Sequence, residues 1–291
     1  MTKKIDSVAV IGAGQMGSGI AQTFAQSGYK VALLDIDEAR VSAGINSISK
    51  SLERFVKKER ITEAEKSEIL ARIEGCRDYA DIKNADLAVE AATENEELKY
   101  GIFKKLDETL APDSILASNT SSISITRIAA QTNRPDQVIG MHFMNPVPIM
   151  KLVELVRGLA TSDETFATVN ATAEALGKTT VVSTDFPGFI VNRVLMPMLN
   201  EACYALHEGI ASVRDIDTAM KLGTNQPMGP LQLADFIGLD TVLAILNVMH
   251  EGLGEKYRPS PLLQQYVDAG FLGRKVAKGF YDYDERGKII L

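Results

Sequence analysis

Two cysteines, Cys76 and Cys203, are all the thiols in this 291-residue chain. That excludes a disulfide framework. Neither stands at metal-ligand spacing, so both read as reduced thiols of a cytoplasmic protein, and no metal is expected. Histidine is equally sparse, with only His142, His207 and His250. Any imidazole chemistry must rest on one of these three. No apolar run reaches the ~20 residues needed to span a bilayer, so no membrane partner is expected. Positive charge is in deficit, with 31 Lys and Arg against 38 Asp and Glu for a net charge of −7. This argues against nucleic acid as a partner. Repeats and low-complexity segments are missing. Met1-Thr2-Lys3-Lys4 leads straight into an apolar run, so no signal peptide is expected.

The composition that remains, 45% hydrophobic and 24% charged, is that of an ordinary globular protein long enough for two domains. The stretch Ile5 to Asp35 organises it. An apolar run (Val8, Ala9, Val10, Ile11) leads into Gly12-Ala13-Gly14-Gln15-Met16-Gly17. An amphipathic segment follows, then a second apolar run (Val31, Ala32, Leu33, Leu34) that ends at Asp35. This reads as strand, glycine turn, helix, strand and terminal carboxylate, the unit that holds a dinucleotide pyrophosphate at a helix N-terminus. Gly12 permits the turn, Gly14 lets backbone approach the pyrophosphate, and Gly17 allows close packing of helix on sheet. Asp35 can accept hydrogen bonds from the adenosine ribose hydroxyls and would repel a 2′-phosphate. NAD is therefore favoured over NADP, although Arg40 stands near enough in sequence to keep NADP(H) in view.

The chain then alternates helix and strand, the pattern of a doubly wound parallel sheet. A helix is expected over about Glu38 to Arg60. On it Lys50, Arg54, Lys57 and Lys58 recur at helical spacing to form a basic face. That face suits either plain solvation or a phosphate-bearing substrate, and the residues alone leave both open. A helix over about Glu63 to Arg72 and a short strand near Arg72 to Cys76 follow. The apolar run Ala85 to Ala91 predicts a strand whose carboxyl end carries Glu94 and Lys99, where such sheets place ligands. These are candidate cofactor contacts or ordinary helix-start charges. Ser114 to Ala117 predicts a strand ending in Ser118-Asn119-Thr120-Ser121-Ser122, more short polar side chains than one helix cap requires. Gln137 to Met141 predicts another strand, ending in His142. Only this histidine ends a strand of the dinucleotide-binding sheet, which makes it the candidate catalytic base. Lys151 to Val156 alternates as a strand. Its Glu154 can face His142 across neighbouring strands or face solvent.

A helix over Glu164 to Leu176 and a strand over Thr179 to Ser183 complete this part. Asp185-Phe186-Pro187-Gly188 then breaks the pattern. The expected division is residues 1–185 as an α/β nucleotide-binding domain and 186–291 as a smaller all-helical one. Helices are expected near Phe189 to Glu208, Val213 to Leu222, Pro230 to Ile237, Leu239 to Gly252 and Pro261 to Ala269, with Pro197 kinking the first. Their apolar residues outnumber what one small core needs, which suggests a face buried in a homodimer.

Taken together, these motifs resemble the L-3-hydroxyacyl-CoA dehydrogenase family, and within it the bacterial branch acting on 3-hydroxybutyryl-CoA. The resemblance covers essentially the whole chain. It rests on Gly12 to Ala21, on Ser118 to Ser122, and on Gly140-Met141-His142-Phe143-Met144-Asn145-Pro146. It continues through Lys151 to Glu154, Pro187-Gly188-Phe189-Ile190-Val191-Asn192-Arg193 and Pro227-Met228-Gly229-Pro230. It implies a Rossmann-like domain and a helical dimerisation domain, with the active site in the cleft between them. It implies His142 as base, Glu154 as its partner, and Ser121 and Asn192 as substrate contacts. By the same resemblance Glu94, Lys99, Ser121, Asn145 and Lys275 match cofactor contacts, alongside Gly12, Ala13, Gly14, Gln15, Met16, Gly17 and Asp35. Ser51 and Lys58 match positions that touch coenzyme A, with Arg54 beside them. The implied reaction is reversible hydride transfer between (S)-3-hydroxybutyryl-CoA and acetoacetyl-CoA. The alternatives are a gulonate dehydrogenase-like enzyme acting on a free hydroxy acid, and a crystallin-like protein that binds NAD without catalysis.

Overall fold

The computed structural model describes residues 3–290. Met1, Thr2 and Leu291 fall outside, so the expectation of no signal peptide rests partly on residues beyond those described. The chain divides into two compact units between Phe186 and Pro187.

The first unit alternates strand and helix: β1 (Ser7–Ile11), α1 (Gln15–Gln26), β2 (Lys30–Leu34), α2 (Glu38–Lys57), α3 (Glu63–Ala71), β3 (Ile73–Cys76), β4 (Leu87–Glu90), α4 (Glu96–Thr109), β5 (Ile115–Ser118), α5 (Ile125–Ala129), β6 (Val138–Phe143), β7 (Leu152–Arg157), α6 (Asp163–Ala175) and β8 (Thr179–Thr184). The strands form one sheet in the order β3-β2-β1-β4-β5-β6-β7-β8. Every adjacent pair is parallel except β6 and β7. Strand order reverses between β1 and β4, which opens a crevice at their carboxyl ends. β4, β5 and β6 are buried throughout, which explains the apolar residues that lead up to Glu90, Ser118 and His142. Ile20 and Phe24 of α1 belong to one buried cluster with Val8, Val10, Leu33 and Leu87.

Helix starts follow the capping residues. Asp37 accepts the Arg40 amide at 2.8 Å, and Asn95 accepts that of Leu98 at 2.9 Å. Thr62 and Glu65 form a reciprocal capping box at the start of α3. Asp185, which sequence pattern marks only as a break, has a more specific task. Its carboxylate accepts the Ser124 hydroxyl at 2.6 Å and the Ile125 and Thr126 amides at 2.9 and 2.8 Å. It thereby fixes the start of α5 from far along the chain.

The second unit consists of α7 (Val191–His207), α8 (Val213–Gly223), α9 (Pro230–Ile237), α10 (Leu239–Leu253) and α11 (Pro261–Asp268). Pro197 lies inside α7. Met196, Leu199, Cys203, Leu231 and Leu246 form its core. A tail with isolated bridges between Gly273 and Lys278, Lys278 and Asp282, and Tyr283 and Ile289 follows the helices. Buried Asp235 on α9 pins that tail, accepting the Phe280 and Tyr281 amides and the Tyr283 hydroxyl, each at 2.9 Å. Among the described residues, no single helix is long and apolar enough to cross a membrane.

Candidate active site

The glycine turn divides its tasks geometrically. Gly12 adopts a φ of 103°, and a Cβ there would come within 2.7 Å of the Ala91 carbonyl oxygen. A Cβ on Gly17 would strike the Gly12 carbonyl at 1.7 Å, so this glycine permits the close return of α1 onto the loop. Gly14 has nothing within 4 Å of a Cβ and faces open space. It is the N-cap of α1, with no side-chain cap and no acid in the first turn. Among the described residues no side chain caps this helix, so its first-turn N–H groups and the positive end of its dipole are presented as anion binding requires. Gln15 on the first turn donates to Asn145 Oδ1 at 3.1 Å, joining the loop to the segment after β6.

A cavity of about 840 Å³ lies along this turn, lined by Gly12, Gly14, Asp35, Ala92, Thr93 and Leu98 among others. Asp35 accepts the Ala13 amide at 2.6 Å and the Ile36 amide at 2.7 Å. The carboxylate thus holds the glycine turn as well as facing the cavity. Arg40 and Arg77 also line the cavity, with Arg40 at 3.7 Å from Asp37 and Arg77 at 3.2 Å from Glu38. Both guanidiniums stand beside an acid, but the pairs are exposed and weak, so neither arginine is withdrawn from a 2′-phosphate by them.

Beyond the cavity, the polar cluster after β5 converges on Glu94. Its Oε1 accepts the Thr120 hydroxyl at 2.6 Å, the Ser121 and Ser122 amides at 2.9 and 3.0 Å, and both serine hydroxyls at 3.2 and 2.9 Å. Partial burial by itself would raise the Glu94 carboxyl. Lys99 and these hydrogen bonds outweigh it and hold the group below the usual carboxylate range. Lys99 is only 1% exposed and pairs with Glu90 at 2.6 Å and with Glu94 at 3.4 Å. It is no ordinary helix-start charge. Glu90 itself was not among the sequence candidates. Its signal was a carboxylate inside the apolar run from Leu87 to Ala91.

His142 and Glu154 are direct partners across β6 and β7. The imidazole Nδ1 lies 2.7 Å from Glu154 Oε2, and Glu154 is wholly buried. The solvent-facing alternative for Glu154 is thereby removed. The loop after β6 is held by Lys178, another residue without a sequence signal, whose ammonium donates to the Val147 carbonyl at 2.6 Å and the Met150 carbonyl at 2.8 Å. Burial holds the Lys178 ammonium below its ordinary pKa.

Two other groups of sequence candidates lie on other elements of the chain. On α2, Ser51 is half-buried while Arg54, Lys57 and Lys58 are exposed. Glu53 turns to Lys66 at 3.4 Å. Among the described residues, no carboxylate lies within ion-pairing distance of Lys50, Arg54, Lys57 or Lys58. In the second unit, Asn192 is buried in the first turn of α7 and Lys275 pairs with Asp240 at 2.6 Å.

Comparison with known proteins agrees with the architecture. Residues 7–186 match the family model for the 3-hydroxyacyl-CoA dehydrogenase NAD binding domain, and residues 188–283 match that for the C-terminal domain. The chain is 55% identical to a probable 3-hydroxybutyryl-CoA dehydrogenase of Bacillus subtilis, over 97% of this chain and 99% of that one. It is also 55% identical to a 3-hydroxybutyryl-CoA dehydrogenase of Bradyrhizobium diazoefficiens, over 97% of each chain. The crystal structure of (S)-3-hydroxybutyryl-CoA dehydrogenase from Ralstonia eutropha superimposes with a TM-score of 0.94 at 52% identity, covering 97% of this chain and all of that one. The glycine turn, the Asp35 carboxylate and these matches together place the chain in the 3-hydroxyacyl-CoA dehydrogenase family, as an oxidoreductase that uses NAD(H).

Proposed function

We propose that this protein interconverts (S)-3-hydroxybutyryl-CoA and acetoacetyl-CoA. The observation that carries the proposal is the buried His142–Glu154 pair at 2.7 Å on the NAD-binding sheet. The names of the relatives at 55% identity support the acyl group.

NAD(H), when bound, would supply the hydride acceptor for C3 in oxidation and the donor in reduction. Gly12, Ala13, Gly14, Gln15, Met16 and Gly17 would hold its pyrophosphate and Asp35 its adenosine ribose, and Glu94, Lys99, Ser121, Asn145 and Lys275 would complete its site. With Nδ1–H of the neutral His142 ring donating a hydrogen bond to the Glu154 carboxylate, Nε2 carries the lone pair. That nitrogen takes the proton of the 3-hydroxyl in oxidation and returns it in reduction, while the Glu154 carboxylate orients the ring and stabilises the imidazolium. Ser121 and Asn192 donate hydrogen bonds to the substrate oxygen without adding a competing base. Ser51, Arg54 and Lys58 take the anionic coenzyme A handle. The absence of carboxylate partners for Arg54 and Lys58 among the described residues supports that role.

The same reading takes the chain as a homodimer through its helical domain. Val194, Ile210 and Leu222 there are exposed by 71%, 70% and 81% in the single chain, which supports a covered apolar face. A cytoplasmic place in fatty-acid or butyrate metabolism goes with it.

The deciding test is NADH oxidation on acetoacetyl-CoA, with free acetoacetate and NADPH as parallel controls. Rapid turnover of the CoA ester with NADH is expected. Activity confined to free oxo acids would overturn the CoA assignment in favour of a gulonate dehydrogenase-like enzyme. NADH binding without turnover of either substrate would leave the crystallin-like reading.

A further inference from the structure

Glu90 is a wholly buried carboxylate that the mechanism leaves unused. It ends β4 at 0% exposure, in register with Ile11 of β1 on one side and Ser118 of β5 on the other. A carboxylate in the middle of a sheet is tolerated only when its lone pairs are filled. Here Oε1 accepts the Lys99 ammonium at 2.6 Å and the Ala92 amide at 2.7 Å, while Oε2 accepts the Ser118 hydroxyl at 2.6 Å. Lys99 extends the chain of contacts to Glu94 Oε2 at 3.4 Å and to the Ala92 carbonyl at 3.3 Å. Glu94 in turn accepts the amide and hydroxyl of Ser121 on its other oxygen.

The arrangement is two carboxylates around one ammonium, all within the first unit. Lysine has a flexible stem, and with Glu94 as its only acid it would draw that side chain toward itself. Glu90 fixes the ammonium at one point, so Glu94 Oε1 stays with the serine loop. We propose that Glu90 is a positioning residue for the Ser121 hydroxyl, acting through Lys99 and Glu94. The inference rests on Ser121 touching substrate and cofactor as proposed above.

The test compares wild type with Glu90→Gln, which keeps the volume and removes the charge. Amide hydrogen exchange across residues 119–124 should accelerate by roughly tenfold while the rest of the sheet stays protected. With NADH saturating, kcat on acetoacetyl-CoA should fall by roughly tenfold while KM changes by less than about threefold. The kinetic isotope effect with NADH deuterated at C4 should rise. Lys99→Met should give a similar loss, and Glu90→Gln/Lys99→Met should be no worse than either single variant. A folded Glu90→Gln variant with wild-type exchange at 119–124 and wild-type kcat would overturn the proposal. So would losses that multiply in the double variant. If Glu90→Gln does not fold, Ser118→Ala removes one hydrogen bond to Glu90 and also the acceptor of the Thr120 amide, so exchange is read at 121–124 alone. Faster exchange at 121–124 then supports the proposal, and no change there overturns it. The exchange measurement needs neither acyl-CoA nor turnover. Inactivity of the wild type on acetoacetyl-CoA would therefore count against the functional reading while leaving Glu90 to be decided separately.

Discussion

His142 Nδ1 and Glu154 Oε2 lie 2.7 Å apart because the two residues are register partners across the antiparallel pair of β6 and β7. Directly opposed residues in such a pair keep their side chains within reach on one face. The pair is set by sheet geometry rather than by a flexible loop, which limits the positions the imidazole can sample. Under the proposed mechanism, His142→Ala loses about 10²–10⁴ in kcat, the range for a lost general acid–base group. Glu154→Gln keeps an acceptor oxygen for the ring but removes the charge, and a loss of at least ~10² is expected. Steady-state kinetics on acetoacetyl-CoA checks both, and near wild-type turnover by either variant would refute its assigned role.

Asp35 should govern cofactor choice. Asp35→Ser removes the charge that the proposal sets against the ribose and also releases the Ala13 amide of the glycine turn. KM for NADH is expected to rise by roughly 10-fold, worth about 1.4 kcal/mol. The ratio of NADPH to NADH activity should increase at the same time. Parallel assays with the two cofactors measure both effects, and an unchanged ratio would remove Asp35 from the discrimination.

The basic face of α2 should act on the CoA ester alone. Reversing Arg54 and Lys58 to Glu places two anions where the proposal puts the CoA phosphates. KM for acetoacetyl-CoA is expected to rise by roughly 10-fold or more, with KM for NADH held within about twofold. Wild-type KM for the CoA ester should also climb with salt. Equal effects on both substrates would return this face to plain solvation.

Glu94 predicts an acid-side dependence. Its folded-state pKa is lowered, by Lys99 and the Thr120, Ser121 and Ser122 hydrogen bonds working against burial. The unfolded state therefore binds the proton more readily. The stabilisation is fully present above the unfolded carboxylate value of about 4.3 and is lost as pH falls through the lower folded value. The stability difference between wild type and Glu94→Gln should stay constant above about pH 5 and change only below it. Urea unfolding across a pH series measures this, and a change centred near neutrality would contradict it.

The two thiols should be inert in the native protein. Burial pushes Cys76 up to about 11 and Cys203 up to about 12, and nearby carboxylates add to both shifts. Neither forms appreciable thiolate at pH 7, so an aromatic disulfide reagent should label both only after denaturation. Fast labelling of either native thiol would show that its surroundings open readily.

The sequence by itself determined the nucleotide-binding half almost completely. The unit from Val8 to Asp35, the strand ends at Ser118 and His142 and the five later helices all carry signals of local origin: glycine conformation, periodicity and capping. Such signals are legible because each depends on neighbours only a few residues away. The tertiary structure decided what depends on distant partners. It buried Glu154 opposite His142, which strand alternation alone left free to face water. It turned Asp185 from a break in the pattern into the anchor of α5, and it closed the tail onto Asp235. It also buried Glu90 with Lys99 and linked them to the Ser121 loop. A lone carboxylate in an apolar run shows that a partner must exist, because an unpaired charge cannot stay buried. Which cation answers it is fixed only when sheet and helix pack, since that choice is made by proximity in space.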